Sequence, residues 1–536
     1  MENEYVEYIF GIAGEENLDL LEALSTSSIK YIPVRHEQAA GFMAATVGRL
    51  TGHPGVCLST LGPGATNLIT AIAYAKLGAM PMLAITGQKP LHNNLQGNFQ
   101  IVDIVNLMRP ITELTSTIIS ENKIPSIIRE SFRTAIEERP GPVHIELPKD
   151  IARNETIKEP IKYDPKVRRP IAEEKAITKA VEMINNSENP VILIGAGANR
   201  KRTSKMLTEF IQKTGIYFVD TQMGKGVVDE RNGKFLGTAV RTSGDKVHKA
   251  IENADLIINV GHDIIEKSPF IMRQDSTQKV LHINFFGAQV NETYFPHLEV
   301  IGDIANAIWQ IKEQISKNFH SSPLFEKIKQ EVKNEEAHEL SFVKKDAEKI
   351  LPIEIIQQLR AHLGAKDILA LDNGMYKLWF ARFYMTYCEN TLLLDNALAT
   401  MGAGLPSGIA AKLIYPDRKV VTVSGDGGFM MNSQELETAV RLGVDLTVLI
   451  LNDNALGMIE WEQKEKNFKE FGLKHSNPDF VKYAESYGAK GFRAKNAEHL
   501  NALLEEVLDS KGVNLIEIQV DYSRNLKMFN QNEIAK

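Results

Sequence analysis

The chain has 536 residues, too many for one hydrophobic core, and we expect three domains within a range of two to four. Its composition is that of an ordinary globular protein, and its net charge of -7 argues against a general binder of nucleic acid or of anionic membranes. The only two cysteines, Cys57 and Cys388, exclude a disulfide framework and fit a cytoplasmic protein. No apolar run reaches about 18 residues, and the acidic N-terminus lacks the features of a secretory signal.

The first part of the chain alternates short apolar strands with helical stretches, which is typical of a parallel α/β sheet. We predict a first domain over residues 1–165. Its strands are predicted from the segments YIPV, GVCLST, PMLAITG and PVHIELP. A charged segment with several prolines, Arg153 to Lys175, is predicted to be a linker.

The second part repeats this pattern, and we predict a central domain over residues 172–330. Its strands are predicted from PVILIGAGANR, GIYFVDT, ADLIINVGHD and KVLHINF. The GAGANR turn is only a fragment of a dinucleotide fingerprint, because it lacks the third spaced glycine. From Ile304 to Lys349 the sequence is helix-forming and then strongly charged, and we predict a second connector there.

The third part is predicted to be a domain over residues 350–530. Its strands are predicted from DILALDNG, TLLLDN, KVVTVSGDGGF, LTVLILNDN and NLIEIQVD, and a helix is predicted at NSQELETAV. Strands of apolar residues without alternation are expected when both faces of a sheet are covered by helices. The predicted fold class is therefore α/β, with three consecutive parallel-sheet domains.

Two aspartates in the third domain follow neighbouring predicted strands. Asp426 lies in the Gly-Asp-Gly-Gly turn after one strand, and Asp453 follows the next strand 27 positions later. One helix separates the strands, so both turns emerge at the same edge of the sheet. Two carboxylates, a main-chain carbonyl and phosphate oxygens form the all-oxygen shell that Mg²⁺ prefers. Taken alone, the turn also fits a glycine turn with a helix-capping aspartate.

The segment GDGGF followed by LNDN resembles the motif of thiamine-diphosphate enzymes, in which Gly-Asp-Gly precedes Asn-Asn or a variant of it. The resemblance implies that Asp426, Asp453 and the carbonyl of Ala455 bind Mg²⁺. It implies a diphosphate site formed by the surrounding residues Gly425, Gly427, Gly428, Asn454, Ala455, Leu456, Gly457 and Met458.

The segment VRHEQAAGFMAATVGRLTG resembles the strand–RHE–helix segment of the same family. It implies that Glu37 hydrogen-bonds the aminopyrimidine ring of the cofactor and takes part in proton transfer. A helix N-terminal acid is the simpler alternative. Because Glu37 and Asp426 lie in different predicted domains, one cofactor has to bridge two domains. In the family this bridge joins two subunits, which implies a homodimer or homotetramer.

Two further segments resemble parts of the family's site. STLGPGATN is similar to the turn beside the pyrimidine and the reacting centre, which assigns Gly62, Pro63 and Asn67 to it. DNALATMGAGLPSGIAA is similar to the segment whose carbonyl, here Ala399, accepts from the 4'-amino group, while Met401 bends the cofactor. Plain core packing is the alternative for Met401 and the glycines.

Within the family, the chain most resembles the acetolactate synthases. GNFQIVDIVNLMRPITEL is similar to their segment in which a Phe-Gln pair, here Phe99 and Gln100, lines the substrate pocket. The implied reaction decarboxylates pyruvate on thiamine diphosphate and joins the hydroxyethyl carbanion to a second pyruvate, giving 2-acetolactate and CO₂. An exposed loop is the alternative for Gln100.

The chain departs from the biosynthetic acetolactate synthases at two places. In GMIEWEQ, Glu462 stands at the position of the tryptophan that selects 2-ketobutyrate, Trp461 stands one residue earlier, and Glu460 replaces an arginine. This favours pyruvate as acceptor. VGHDIIEKSPF has lost an arginine and an aspartate of the FAD-binding segment, whereas GAGANRKRTS and MGKGVV remain similar to it. The sequence leans towards an enzyme without FAD and leaves the question open.

Two other functions stay open. A 2-ketoacid decarboxylase would keep the same cofactor residues and release an aldehyde, but no adjacent pair of histidines, which such enzymes usually have, occurs in the sequence. A non-catalytic nucleotide-binding protein would use the central domain instead. The sequence does not address a regulatory small subunit or the pathway.

Overall fold

The computed structural model describes residues 1–92, 97–162, 169–240, 245–263, 265–266, 272, 277–290 and 294–525. These residues form three parallel sheets of six strands each, covered by helices. The predicted α/β class with three consecutive parallel-sheet domains is confirmed. The exact domain boundaries stay a prediction, although each sheet lies inside one of the three predicted ranges.

The first sheet has the strand order β2-β1-β3-β4-β6-β5, and all its pairs are parallel. Its strands are β1 (Tyr8–Gly11), β2 (Lys30–Pro33), β3 (Gly55–Ser59), β4 (Met82–Gln88), β5 (Leu114–Thr117) and β6 (Pro142–Pro148). The α-helices of this region are α1 (Leu18–Ser25), α2 (Glu37–Thr51), α3 (Pro63–Asn67), α4 (Ile69–Leu77), α5 (Ile104–Met108), α6 (Ile124–Ile136) and α7 (Lys149–Arg153).

The central sheet comprises β7 (Pro190–Ile194), β8 (Tyr217–Thr221), β9 (Phe235–Ala239), β10 (Leu256–Val260), β11 (Lys279–Asn284) and β12 (Leu298–Ile301). Its strand order is β12-β11-β10-β7-β8-β9, so the chain winds outwards from β7 on one side and from β10 on the other. The α-helices of this region are α8 (Glu174–Asn186), α9 (Lys201–Thr214), α10 (His248–Glu252), α11 (Ile304–Gln314) and α12 (Pro323–Leu340).

The third sheet comprises β13 (Ile368–Leu371), β14 (Leu392–Leu393), β15 (Val420–Gly425), β16 (Leu446–Asn452), β17 (Lys490–Ala494) and β18 (Val513–Gln519), in the order β14-β13-β15-β16-β18-β17. Its α-helices are α13 (Pro352–His362), α14 (Tyr376–Phe383), α15 (Gly404–Ile414), α16 (Asp426–Asn432), α17 (Glu435–Arg441), α18 (Gly457–Glu465), α19 (Phe480–Ser486) and α20 (Ala497–Val507). Strands β15 and β16 are neighbours, which brings their carboxyl ends together.

Helix α2 of the first domain packs against the third domain. His36 caps its N-terminus, where Nδ1 accepts from the Gln38 backbone N–H (3.1 Å), and Gly52 ends it in the left-handed conformation with φ 74°. The helix is largely buried and packs on α15, where the Thr46 and Ser407 hydroxyls lie 3.0 Å apart. Its N-terminus therefore has a fixed position between the two domains.

The central and third domains are joined by a buried ion pair. Arg382 on α14 pairs with Asp245 and donates to the Thr238 backbone carbonyl at 3.0 Å. Burial opposes the charge of Asp245, and Arg382 outweighs it, so the pKa of Asp245 falls to about 2.

Across the described residues, no helix is both long and apolar enough to cross a bilayer.

Candidate active site

Asp426 lies at the junction of β15 and α16, at the carboxyl edge of the third sheet. It is the first residue of α16 and is 1% exposed. The sequence predicted one helix at NSQELETAV, and its predicted start is wrong. The structure has two helices here: α16 begins at Asp426 and ends at Asn432, and α17 begins at Glu435. The Gly-Asp-Gly-Gly segment is the end of a strand and the first turn of a helix, without a separate loop.

Asp453 follows β16 and stands beside Asp426. Its backbone neighbour Ala455 donates an N–H to Asp453 Oδ1 at 3.2 Å. Burial, followed by the charge of Asp426, raises the pKa of Asp453 to about 7. A Cβ at Gly457 would lie 2.5 Å from Asp453 Oδ2, so a side chain there would displace the Asp453 carboxylate. A buried and a half-buried carboxyl group that repel each other are a donor set that a divalent cation would neutralise.

Two residues that the sequence did not indicate contact the Asp426 carboxylate. Asn477 donates from Nδ2 to Asp426 Oδ2 at 2.6 Å, and His475 Nε2 lies 3.2 Å from the same oxygen. Their segment returns to the site through an antiparallel bridge between Ala455 and Lys474. Among the described residues there is no cluster of three or more His, Cys, Asp or Glu side chains suited to a metal. A cation here would therefore need carbonyl, water or ligand oxygens besides the two aspartates.

The remaining predicted diphosphate residues surround this pair. Asn454 has a left-handed backbone with φ 56° and donates its N–H to Asn452 Oδ1 at 3.1 Å. Leu456 precedes α18, whose first two residues are Gly457 and Met458. Gly425 ends β15, and the positions Gly427 and Gly428 face the site: a Cβ at Gly427 would lie 3.3 Å from Leu456, and one at Gly428 would lie 3.2 Å from Asp372.

Ala399 and Met401 belong to a loop that two buried aspartates hold. Asp395 Oδ2 accepts the Ala399 N–H at 2.7 Å, and Ala399 has φ 54°, a strained conformation for a residue with a side chain. Asp372 accepts the Gly402 N–H at 2.9 and 3.0 Å. Burial raises the pKa of both aspartates. Met401 Cε reaches the turn, 3.4 Å from the Cβ position of Gly427.

The first domain brings together the other predicted site residues. Glu37 is 8% exposed, and its Oε2 accepts from Asn67 Nδ2 at 2.9 Å. Gly62 has φ 52° and precedes Pro63, the first residue of α3. A Cβ at Gly62 would lie 2.7 Å from the Gln100 carbonyl oxygen, so the turn and the Phe99–Gln100 pair are in contact.

The Phe99–Gln100 pair lies at the surface of the single chain. Phe99 is 63% exposed, and the Lys89 ammonium lies 5.6 Å from its ring centroid. Gln100 has a left-handed backbone with φ 59°. The sequence did not indicate Lys89, which is buried and forms an ion pair with Glu16 at 2.6 Å.

Within one chain, the segment around Glu37 in the first domain contacts the helices that follow Asp426 in the third domain. Glu435 on α17 is fully buried and accepts the backbone N–H groups of Arg35 and His36, each at 3.0 Å. Asn432 donates from Nδ2 to Gln38 Oε1 at 2.9 Å. The residues on either side of Glu37 are thus held by the third domain, whereas the Glu37 carboxylate bonds Asn67 in its own domain.

Protein-family comparison matches the chain in three consecutive parts. Residues 1–107 match the N-terminal TPP binding domain of thiamine pyrophosphate enzymes, residues 177–311 match their central domain, and residues 372–518 match their C-terminal TPP binding domain. The chain belongs to the thiamine pyrophosphate enzymes. In this thiamine pyrophosphate enzyme, the Glu37 set lies in the first matched part and the Asp426 set lies in the third.

Several relatives of this thiamine pyrophosphate enzyme align along nearly the whole chain. The acetolactate synthase of Bacillus subtilis is 32% identical over 98% of this chain and 92% of the relative. The catabolic acetolactate synthase of Raoultella terrigena is 30% identical over 100% of this chain and 96% of the relative. Acetolactate synthase 1, chloroplastic, of Nicotiana tabacum is 31% identical over 98% of this chain and 81% of the relative.

Proposed function

We propose that this enzyme is an acetolactate synthase that condenses two molecules of pyruvate to 2-acetolactate and CO₂. The observation that carries the proposal is the alignment of acetolactate synthases, the catabolic one included, with almost every residue of the chain. The contacts of the site also support it. Asp426 and Asp453 lie side by side in the third domain, and the Glu37 carboxylate accepts a hydrogen bond from Asn67 in the first.

The residues have the following proposed roles. Thiamine diphosphate, when bound, supplies the carbon nucleophile that attacks a 2-oxo acid. Asp426, Asp453 and the Ala455 carbonyl would hold Mg²⁺, and the N-terminal turn of α16 offers N–H groups to the diphosphate. Glu37, oriented by the Asn67 amide, would move a proton to and from the pyrimidine ring. Gln100 would donate a hydrogen bond to the second pyruvate.

The proposed Mg²⁺ site has a titratable ligand, and this gives a pH dependence. Burial and the charge of Asp426 raise the pKa of Asp453 to about 7 in the metal-free chain, so below that pH Mg²⁺ must displace a proton. We expect the apparent Mg²⁺ affinity to fall by about tenfold per pH unit below pH 7 and to level off above it. Calorimetric titration with Mg²⁺ and thiamine diphosphate at several pH values measures this. A wild-type affinity that is flat across the range contradicts it, and the non-titrating Asp453→Asn variant should show weak binding without the slope.

We infer a homodimer or homotetramer in which a second copy completes the site. Apolar side chains that flank both sets of residues are exposed on the single chain: Phe99 is 63% exposed and Met431 52% exposed. Met431 lies on α16, the helix that begins at Asp426. Burial of such side chains by a second chain would stabilise the assembly and remove water from the cofactor.

The acceptor is proposed to be pyruvate. Trp461 on α18 is 8% exposed and packs in the core of the third domain, beside a cavity that Asp453 and Ala455 also line. Glu462 follows it and forms an ion pair with Lys466 at 3.5 Å. A charged side chain at this position offers no apolar surface to the ethyl group of 2-ketobutyrate.

The products of pyruvate turnover distinguish the candidate reactions. With thiamine diphosphate and Mg²⁺, we expect 2-acetolactate, which acid treatment converts to acetoin, together with one CO₂ for each two pyruvates consumed. The same assay without the cofactor is the control. Acetaldehyde as the main product would replace the proposal with a 2-ketoacid decarboxylase, and no turnover at all would favour a non-catalytic nucleotide-binding protein.

We also propose that the enzyme works without FAD. Of the segment VGHDIIEKSPF, which departs from the flavin-binding pattern, Ile264 and residues 267–270 lie outside the described residues. The described residues of this segment include no arginine that could contact a flavin phosphate. An absorbance spectrum of the purified protein without flavin bands is the expected result.

A further inference from the structure

The strand order of the central sheet defines a ligand crevice. The chain leaves the sheet on opposite sides of β7 and β10, and open α/β sheets bind ligands in the crevice between the carboxyl ends of two such strands. The turn after β7, Gly195–Arg200, leads into α9, and the turn after β10 begins at Gly261. In a domain of this topology, a nucleotide phosphate is expected to bind the N–H groups of the first turn.

In this chain the N–H groups of that turn are already used. Glu266, which follows β10 and is 2% exposed, accepts the Ala196 N–H through Oε1 at 2.8 Å. The other N–H groups donate to backbone carbonyls: Gly195 to Val260 (2.9 Å), Gly197 to Gly261 (2.8 Å), Ala198 to Gly195 (3.1 Å), Asn199 to Ala196 (3.0 Å) and Arg200 to Ala198 (2.7 Å). The amide that would hold a phosphate therefore holds a carboxyl group of the protein itself.

The glycines of the turn allow close packing within the protein and are not needed for contact with a ligand. A Cβ at Gly195 would lie 2.7 Å from the Gly261 carbonyl oxygen, and one at Gly197 would lie 2.9 Å from it. These two positions are glycine because the turns after β7 and β10 pack directly on each other. The other oxygen of Glu266, Oε2, is buried in the same place and makes no hydrogen bond of normal geometry with the described residues.

Two arginines at the crevice are paired with carboxylates of the protein. Arg200 pairs with Glu138 at 2.8 Å, and its guanidinium lies 4.3 Å from the ring centroid of Phe285. Arg139 pairs with Asp263 and donates to the Lys76 carbonyl at 2.8 Å. The cavity beside the two turns measures about 200 Å³, which is smaller than the ~300–1,000 Å³ of typical small-molecule sites, and an adjoining cavity of about 580 Å³ lies towards His262 and His282. A nucleotide phosphate would find no free backbone N–H group in the turn after β7.

We propose that Glu266 is a built-in replacement for a nucleotide phosphate, and that its carboxyl group closes the crevice of the central domain. The proposal concerns the central domain and is independent of the reaction at Asp426 and Glu37. Its consequence is that removal of this side chain leaves the Ala196 N–H unpaired in an enlarged cavity beside Arg200. The opened crevice should then accept a small oxyanion, for which inorganic phosphate is the probe.

Thermal unfolding of the full-length chain tests the proposal. EDTA is included, so that anions do not bind through a cation at Asp426. We expect Glu266→Ala to melt at a lower temperature than wild type and to regain about 1–2 °C at a phosphate concentration roughly ten times its dissociation constant. Sodium chloride at the same ionic strength should not do this. Glu266→Gln keeps an oxygen for the Ala196 N–H, so its melting temperature should not respond to phosphate.

Two results would overturn the proposal. One is stoichiometric binding of ADP or FAD by the wild-type chain under the same conditions, since the crevice would then be open. The other is an opened variant whose melting temperature rises no more with phosphate than with chloride. If Glu266→Ala does not fold, Glu266→Ser is the second opened variant, and the ADP and FAD titrations of the wild type decide in any case.

Discussion

The Asp426→Ala variant is expected to bind thiamine diphosphate with Mg²⁺ at least about 10²-fold more weakly than wild type and to lose pyruvate turnover at normal cofactor concentrations. Asp426 is buried at the edge of the sheet and is one of only two carboxylates in the proposed cation site. Without it, the cation loses half of the protein's negative charge, and the diphosphate then faces Asp453 without full neutralisation. Calorimetric titration of the cofactor, with and without Mg²⁺, measures the loss.

Two further variants separate this role from a structural one. Asp509→Ala removes an aspartate of the same domain whose side chain is 76% exposed, so cofactor binding should not change. Asp426→Asn keeps the size of the side chain and should lower the pKa of Asp453, because it removes the neighbouring charge. If Asp426→Ala binds the cofactor as tightly as wild type while Mg²⁺ is required, Asp426 is not a metal ligand.

The Glu37→Gln variant is expected to turn over pyruvate about 10²-fold or more slowly than wild type, with cofactor affinity nearly retained. The amide is of the same size as the carboxyl group and can keep a contact with Asn67, which now lies 2.9 Å from Glu37 Oε2. It cannot share a proton with a ring nitrogen of the cofactor. Steady-state turnover at saturating thiamine diphosphate, together with the exchange rate of the cofactor's acidic C–H proton, measures the effect.

The matched control for Glu37 is Glu130→Gln. Glu130 lies in the same domain, is about half exposed and pairs along its own helix with Arg133 at 2.7 Å. Its turnover should equal that of wild type. A Glu37→Gln enzyme with near-normal turnover and proton exchange would remove Glu37 from the mechanism and leave it as a helix N-terminal acid.

Most strands could be predicted from the sequence because they are inner strands of parallel sheets. Such strands are covered on both faces and are therefore runs of apolar residues. The sequence analysis did not predict β1, β5, β9, β12 and β17, and all but β1 lie at the edges of their sheets. Edge strands such as LTST in β5 and KGFRA in β17 have one neighbour and tolerate polar residues, so they carry no apolar run.

The proximity of Asp426 and Asp453 could be predicted because neighbouring parallel strands place both aspartates at one edge of the sheet, although two helices and not one connect these strands. The contacts of Asn477 and His475 with Asp426 could not, because their segment returns to the site by a chain reversal that leaves no periodic signal. The same holds for the buried Asp372 and Asp395. Their role depends on the loop that carries Ala399 and Met401, and only the folded chain brings these residues together.

The contact of Glu435 with the backbone of Arg35 and His36 bears on how such enzymes can be recombined. The amides next to Glu37 are held by a carboxylate that is 400 residues away in sequence from Arg35. An isolated N-terminal domain would lack the Glu435 carboxylate, so the Glu37 side chain would lose its defined orientation. A chimaera that exchanges the outer domains of two relatives should therefore transplant the α17 segment together with the start of α2, as one inseparable unit.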